Sequence, residues 1–161
     1  MPFEEYPPPA TRVALAATDL RAEAVDLLQK LLRINTVNPP GNETQAAIVL
    51  RDYLEAAGLE CRLLAREPHR ANLVARLRGR GQGPSLMLTG HTDTVLADPA
   101  EWSVDPWSGE LRDGHVWGRG ALDMKGHTAA AAVAIAALAR EGFTPPETSS
   151  TSPSLTRRSA T

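Results

Sequence analysis

Three polar residues of this 161-residue chain, His91, Asp93 and Asp123, have the types and spacing best suited to chemistry. His91 and Asp93 lie in the segment LTGHTDTV (residues 88–95), and Asp123 lies about thirty residues later in GRGALDMKG (residues 118–126). Both segments place polar side chains at the end of an apolar stretch. A hydrolytic metal site needs a few nitrogen and oxygen ligands and one position open to water. The pattern therefore predicts a metal site built from two separate segments.

The apolar run before His91 (residues 86–88) predicts a buried strand that delivers the imidazole to the carboxyl edge of a sheet, where α/β sheets usually place their sites. Asp93 points to the same side if the backbone stays extended. Its carboxylate can then accept the second imidazole N–H and fix the orientation of the ring. Asp123 can offer one oxygen to each of two ions.

Simpler interpretations of the same residues exist. An isolated His-x-Asp pattern is a weak signal, and Asp93 could only cap a turn. Asp123 could be the N-cap of the helix that follows it, which is the commoner role of an Asp there. The glycines of residues 118–126 could only mark turns. The two strings together are more specific than either one alone.

The elements that must position these residues begin with helices. Apolar residues recur at helical spacing after Thr18 or Asp19, either of which can cap a helix that runs to about residue 34. A second helix is predicted over residues 43–57, before Gly58, and a third, rich in Ala and Val, over residues 126–140.

Between the second and third helices the apolar period changes to that of strands. Residues 59–65, 72–77 and 85–89 predict short strands, and residues 109–118 predict a strand pair around an Asp-Gly turn. Helices that alternate with strands predict an α/β fold in which helices cover a sheet.

Both ends of the chain differ from this pattern. Residues 1–17 form a Pro-rich leader, for which we expect a flexible chain. Residues 18–143 carry the alternating helices and strands described above and form the predicted folded domain. In residues 144–161, ten of eighteen residues are Ser or Thr and only Leu155 is a large apolar residue. Such a segment buries too little surface to offset its ordering entropy, so we predict a disordered tail.

Composition narrows the class of protein. Hydrophobic residues make up 42% of the chain and charged residues 22%, which is ordinary for a soluble globular protein. A net charge of −2 gives no electrostatic reason to expect nucleic-acid or membrane partners. The single cysteine, Cys61, excludes an intrachain disulfide and a Cys-rich zinc site. The N-terminus lacks the basic start and apolar centre of a signal peptide, so a cytoplasmic location is expected.

Taken together, the two strings resemble the M20 family of zinc metallopeptidases and amidohydrolases, which includes acetylornithine deacetylase, succinyl-diaminopimelate desuccinylase, aminoacylase and glutamate carboxypeptidase. The resemblance covers residues 20–145 and includes NPPG (residues 38–41) and EWSVDPWSG (residues 101–109). It implies the N-terminal portion of a zinc-hydrolase catalytic domain with a three-layer helix–sheet–helix architecture. The implied activity is metal-assisted hydrolysis of an amide bond in an N-acyl amino acid or a short peptide.

The resemblance also implies roles for individual residues. His91 would bind one zinc ion, and Asp93 would orient the imidazole of His91. Asp123 would bridge two ions and precede a cis peptide bond to Met124. Zinc is the expected metal, with cobalt or manganese as substitutes. His127 departs from the family pattern, in which a small residue is more common, and we interpret it as a first-turn helix residue rather than a ligand.

Several parts of the family's active site have no counterpart in this sequence. Relatives follow the third helix with a buried strand that ends in a Glu-Glu pair, which supplies the general base and a zinc ligand. A further acidic ligand, a His ligand and a dimerisation domain, through which intact members form homodimers, come later. His91 and Asp123 leave each ion with at most two protein ligands, fewer than the three of a catalytic zinc site. We therefore expect this chain alone to be inactive; a non-catalytic fragment or binding module is the alternative.

The codons of the tail suggest an origin for this difference. Read from the third base of each triplet, the Ser, Thr and Pro codons of residues 148–154 become mostly apolar codons, and Arg157 and Arg158, if written AGG, become Glu. One possible reading after Pro146 is DLIHLTVADEEE, an apolar strand that ends in acidic residues. Our hypothesis is that a one-base shift near Pro146 or Glu147 produced this tail; a natural short form is the alternative.

The nucleotide sequence across codons 140–165 tests this hypothesis. We expect the alternate frame to stay open and to encode an apolar strand followed by adjacent glutamates. A stop codon in that frame, or the absence of the acidic pair, would show that the hypothesis is wrong.

Overall fold

The structure, a computed structural model, describes residues 19–81, 85–146 and 149–153. The predicted leader over residues 1–17 lies outside the described residues, and so does the tail from residue 154 onward. In the described part of the chain, no helix is long and apolar enough to cross a membrane.

Three α-helices form at the predicted places. They are α1 (Leu20–Leu32), α2 (Glu43–Ala56) and α3 (Gly126–Arg140). Asp19 is the N-cap of α1, because its carboxylate accepts hydrogen bonds from the amides of Arg21 and Ala22 at 3.1 and 3.0 Å. Predicted and observed bounds agree to within about two residues, the ordinary uncertainty of helix ends.

Within the part of the chain that the structure describes, six strands form one four-stranded sheet and one hairpin. The sheet has the order β1-β2-β6-β3, in which β1 and β2 are antiparallel, β2 and β6 are antiparallel, and β6 and β3 are parallel. The hairpin pairs β4 with β5 around Asp113 and Gly114, which both have positive φ, as a two-residue hairpin turn requires. The strands are β1 (Glu60–Ala65), β2 (Ala71–Leu77), β3 (Met87–Gly90), β4 (Glu110–Arg112), β5 (His115–Trp117) and β6 (Ser149–Pro153).

Strand β6 corrects the predicted disorder for residues 149–153. This segment lies between β2 and β3, where Thr151 pairs with Ala75 on one side and with Leu88 on the other. The prediction weighed only the burial of side chains. The facing backbone N–H and C=O groups of β2 and β3 need partners, and Ser and Thr supply backbone hydrogen bonds as well as apolar residues do. Just before β6, the carbonyl of Pro145 accepts a hydrogen bond from the amide of Arg80 at 3.0 Å.

The core lies between the helices and one face of the sheet. Helix α2 packs on β1 and β2, and α3 packs on α1 and β3. Alternate residues of β2 point into this core, whereas Arg62, Leu64 and Arg76 are exposed. The α/β class is confirmed. In the described residues, the helices that enclose this core form one helical layer on the sheet. The core residues are Leu27, Leu31, Ala46, Ala47, Leu50, Leu54, Ala57, Leu59, Leu73, Ala75, Ala129, Ala132, Val133, Ile135 and Ala136.

The strand that precedes His91 is less buried than predicted. Leu86 is 59% exposed, Met87 is 61% exposed and Leu88 is 37% exposed. The reason is that β3 is an edge strand, paired only with β6 and covered by α3 on one face. The strand still ends at the predicted place, immediately before His91.

The L50A substitution tests this description of the core. Leu50 is fully buried on α2, so truncation leaves a cavity, and we expect the free energy of unfolding to fall by about 2–5 kcal/mol. Urea denaturation followed by circular dichroism measures the change. The matched control is L86A, because Leu86 lies in the exposed segment just before β3. For this variant we expect a change within about 0.5 kcal/mol. Equal losses in both variants would contradict the placement of the core.

Candidate metal centre

The structure brings His91 and Asp123 together. His91 is the first residue after β3, and Asp123 lies in the irregular turn Ala121–Lys125 that leads into α3. The Nε2 atom of His91 lies 3.1 Å from Oδ1 of Asp123. The His91 side chain is 14% exposed and that of Asp123 is 65% exposed. Two predicted ligands that are distant in sequence therefore meet at a solvent-accessible position.

Asp93 lies on the other side of the imidazole. The Nδ1 atom of His91 forms a hydrogen bond with the backbone carbonyl oxygen of Asp93 at 3.2 Å, and Oδ1 of the almost completely buried Asp93 carboxylate lies 3.0 Å from the same nitrogen. A carboxylate beside Nδ1 favours the tautomer that carries its proton there. Nε2 then presents a lone pair next to an Asp123 oxygen, which is an arrangement suited to a shared cation.

Asn38 holds the second oxygen of Asp93. Its Nδ2 group donates a hydrogen bond to Oδ2 of Asp93 at 3.3 Å. The Asn38 amide donates to the carbonyl of Thr94 at 2.9 Å, and the Thr94 amide donates to the carbonyl of Thr36 at 2.9 Å. The Asn38–Pro39 and Pro39–Pro40 peptide bonds are both cis. The contact between Asn38 and Asp93 was not predicted, because NPPG entered only as part of a resemblance. The signal available in the sequence was a polar residue directly before a pair of prolines.

The turn that carries Asp123 has the cis Asp123–Met124 peptide bond that the resemblance implied. The N-cap of α3 is Lys125, so the alternative in which Asp123 caps this helix is not what the structure shows. Gly120 precedes the turn with a φ of 88°, and a Cβ atom there would lie 2.6 Å from Cγ2 of Thr94. The glycine is needed because its backbone packs directly against the segment that follows His91.

Lys125 ties this turn to the end of α1. Its ammonium group is buried and donates hydrogen bonds to the carbonyl oxygens of Leu31 and Ile34, at 3.0 and 2.8 Å. Burial lowers the pKa of Lys125 from 10.5 to about 8, and the negative charge of Asp93 opposes that shift. Sequence reasoning missed this residue because a lysine is almost always a surface residue.

An open cavity of about 720 Å³ adjoins these residues. The hairpin β4–β5 forms part of its wall, so the exposed residue His115 faces the same cavity as His91. Trp102 also lines this cavity, whereas Trp107 lines a separate groove beside the proline turn. The predicted position of His127 in the first turn of α3 is confirmed.

The donor atoms partly fit a metal ion. An imidazole nitrogen beside a carboxylate oxygen is a donor pair typical of zinc. Within residues 19–81, 85–146 and 149–153, however, no group of three or more His, Cys, Asp or Glu side chains is arranged to hold an ion. His91 and Asp123 thus bring two donor atoms of suitable type together, and the described residues supply no third.

A helix-covered α/β sheet thus delivers a His-x-Asp pair at the end of one strand, beside the Asp of an irregular turn. Comparison with known proteins identifies the family. The profile described as peptidase family M20/M25/M40 matches residues 87–150. Succinyl-diaminopimelate desuccinylase from Cereibacter sphaeroides is 39% identical over 126 residues, which are 78% of this chain and 32% of that protein.

Solved structures show the same fold. Human carnosine dipeptidase 1 superposes with a TM-score of 0.70 at 24% identity, over 83% of this chain and 32% of that protein. A dinuclear metal-binding peptidase of the M20 family from Bacillus subtilis superposes with a TM-score of 0.56 at 16% identity, over 83% and 35% of the two chains.

The chain belongs to the M20 family of peptidases and desuccinylase-type hydrolases. It spans about a third of the length of the curated relatives it matches.

The buried lysine gives a test by pH. The folded pKa of Lys125 lies below the unfolded value, so between about pH 8 and 10.5 the unfolded chain binds more protons than the folded one. We therefore expect the free energy of unfolding of the wild type, measured relative to K125M, to rise by about 1–3 kcal/mol across this range. Denaturant titrations at several pH values measure the difference. The matched control is K30M, at an exposed lysine, and a flat difference for both variants would contradict the buried position of Lys125.

Proposed function

We propose that this chain carries part of the active site of a metal-dependent hydrolase that cleaves an amide bond in an N-acyl amino acid or a short peptide. The observation that carries the proposal is the contact between His91 Nε2 and Asp123 Oδ1, with Asp93 behind the imidazole. The names of its relatives, a desuccinylase and a dipeptidase, support this substrate class.

In this proposal His91 and Asp123 would hold zinc, and Asp93 would orient the imidazole. When bound, the metal supplies a Lewis acid for the scissile carbonyl and lowers the pKa of a water molecule. The protein's own contribution is positional. The backbone carbonyl and the carboxylate of Asp93 both lie beside Nδ1 of His91 and favour a proton there, and Asn38 holds the Asp93 carboxylate.

We further propose that this chain alone does not turn over substrate. The described residues supply two metal ligands and no additional carboxylate at the site to act as general base. Strand β6 runs parallel to β3, and its last residue, Pro153, pairs with Gly90 directly before His91. An acidic pair encoded after this strand, as in the alternate reading frame, would therefore start at the edge of the sheet where His91 lies.

Zinc calorimetry with matched variants tests the site. We expect the wild type to bind zinc weakly, and H91A and D123N to lose that binding, because each removes one of two ligands. H115A is the control, since His115 lines the same cavity and its Nδ1 lies 2.8 Å from the carbonyl oxygen of Asp113 in the β4–β5 turn. D93N leaves both ligands in place but changes the support of His91, and we expect it to weaken zinc binding by about 10–100-fold.

An amidase assay with N-succinyl and N-acetyl amino acids completes the test, and we expect no turnover. Zinc binding that survives both H91A and D123N would contradict the proposed ligands. Tight zinc binding with turnover would support the ligands and overturn the proposed inactivity. An absence of zinc binding in the wild type, with a reproducible protein partner, would support a binding module instead.

A further inference from the structure

Arg119 is a cation in the wall of the cavity that the proposed chemistry does not use. Among the described residues that line this cavity it is the sole Lys or Arg, beside the carboxylates of Asp93 and Asp123. A negatively charged ligand in the cavity would be repelled by those two groups and attracted by this one. Arg119 is therefore the natural position for an anionic group of a ligand.

The guanidinium of Arg119 is held in place without a carboxylate partner. Its central carbon lies 5.2 Å from the centre of the Trp102 ring, and its backbone amide donates a hydrogen bond to the carbonyl of Pro106 at 2.8 Å. The Nε atom is buried and has no hydrogen-bond partner among the residues that the structure describes. None of the ion pairs within the described residues includes Arg119.

Arg112 provides the contrast within the same part of the fold. Its guanidinium also lies over an indole ring, 4.8 Å from the centre of Trp117. Unlike Arg119, however, it lies 3.8 Å from the Glu110 carboxylate, donates a hydrogen bond to Ser103, and does not line the cavity. The guanidinium of Arg112 thus has polar partners within the protein. The guanidinium of Arg119 lies in the cavity wall, and its Nε atom has no hydrogen-bond partner among the described residues.

We propose that Arg119, stacked on Trp102, binds the free carboxylate of the substrate and so selects N-acyl amino acids and peptides over neutral amides. This inference rests on the proposed function, because both substrate classes carry that carboxylate. The planar guanidinium fork matches a carboxylate in a bidentate geometry, and a flat ring beneath it keeps the fork in one orientation. Arg119 acts here as a specificity residue and takes no part in bond cleavage.

Nuclear magnetic resonance with two probes of equal shape tests the proposal on the complete chain. N-acetylglycine carries the carboxylate, and N-acetylglycinamide is its neutral counterpart. We expect N-acetylglycine to shift the Arg119 Nε–H and Trp102 indole N–H resonances saturably, and the amide to bind at least about tenfold more weakly, because a hydrogen bond to a charged group is lost. Equal binding of the two probes, or no binding of either, would overturn the proposal.

Two variants assign the effect. R119K keeps the charge but loses the bidentate fork, and we expect at least about tenfold weaker binding of N-acetylglycine. R112K is the matched control and should bind as the wild type does; an equal loss in R112K, or no loss in R119K, would count against Arg119. Should R119K fail to fold, the comparison of the two probes on the wild type decides the question by itself.

The probe titration is run with and without zinc, so that it is independent of the metal test. Carboxylate binding that persists when zinc calorimetry fails would leave Arg119 as an anion site and remove the hydrolase from the proposed function. Zinc binding at His91 and Asp123 without discrimination between the probes would remove Arg119 alone.

Discussion

The contact between His91 and Asp123 is the constraint on which the site depends. One residue follows a strand and the other lies within an irregular turn, so the two meet only if both segments are held in position by the rest of the fold. Asp93 and Asn38 hold the imidazole side, and Lys125 holds the turn by donating to the last carbonyl groups around the end of α1. The support of these two side chains thus involves a buried carboxylate, an amide beside two cis prolines and a buried ammonium group.

Local patterns were enough to predict most of the fold. The apolar period and the Asp19 cap predicted α1, and the Ala-rich stretch predicted α3 with its observed bounds. Helical and strand periods depend on neighbouring residues and are therefore visible in one sequence. The two motif strings placed His91 and Asp123 at element ends, which is where the structure has them.

The parts that sequence reasoning missed depend on contacts between distant segments. Lys125 is polar, yet it is buried because carbonyl groups at and just after the end of α1, more than ninety residues earlier, accept its hydrogen bonds. Asn38 reaches Asp93 only because residues 36–38 pair with the segment around Thr94. The Ser- and Thr-rich residues of β6 carry no apolar signal, and their place in the sheet is set by the unpaired backbones on either side.

The order of the strands also has a kinetic side. Strand β3 joins the sheet only through β6, the last strand along the described chain, and does not touch β2 directly. While the polypeptide is being synthesised, the segment before His91 has no strand to pair with until residues 149–153 have left the ribosome. Loop closure of this kind costs entropy before any pairing compensates it, so the edge that carries the imidazole assembles late. A protease cut between α3 and β6 would therefore put at risk the pairing that joins β3 to the sheet, because within the described residues β6 supplies it.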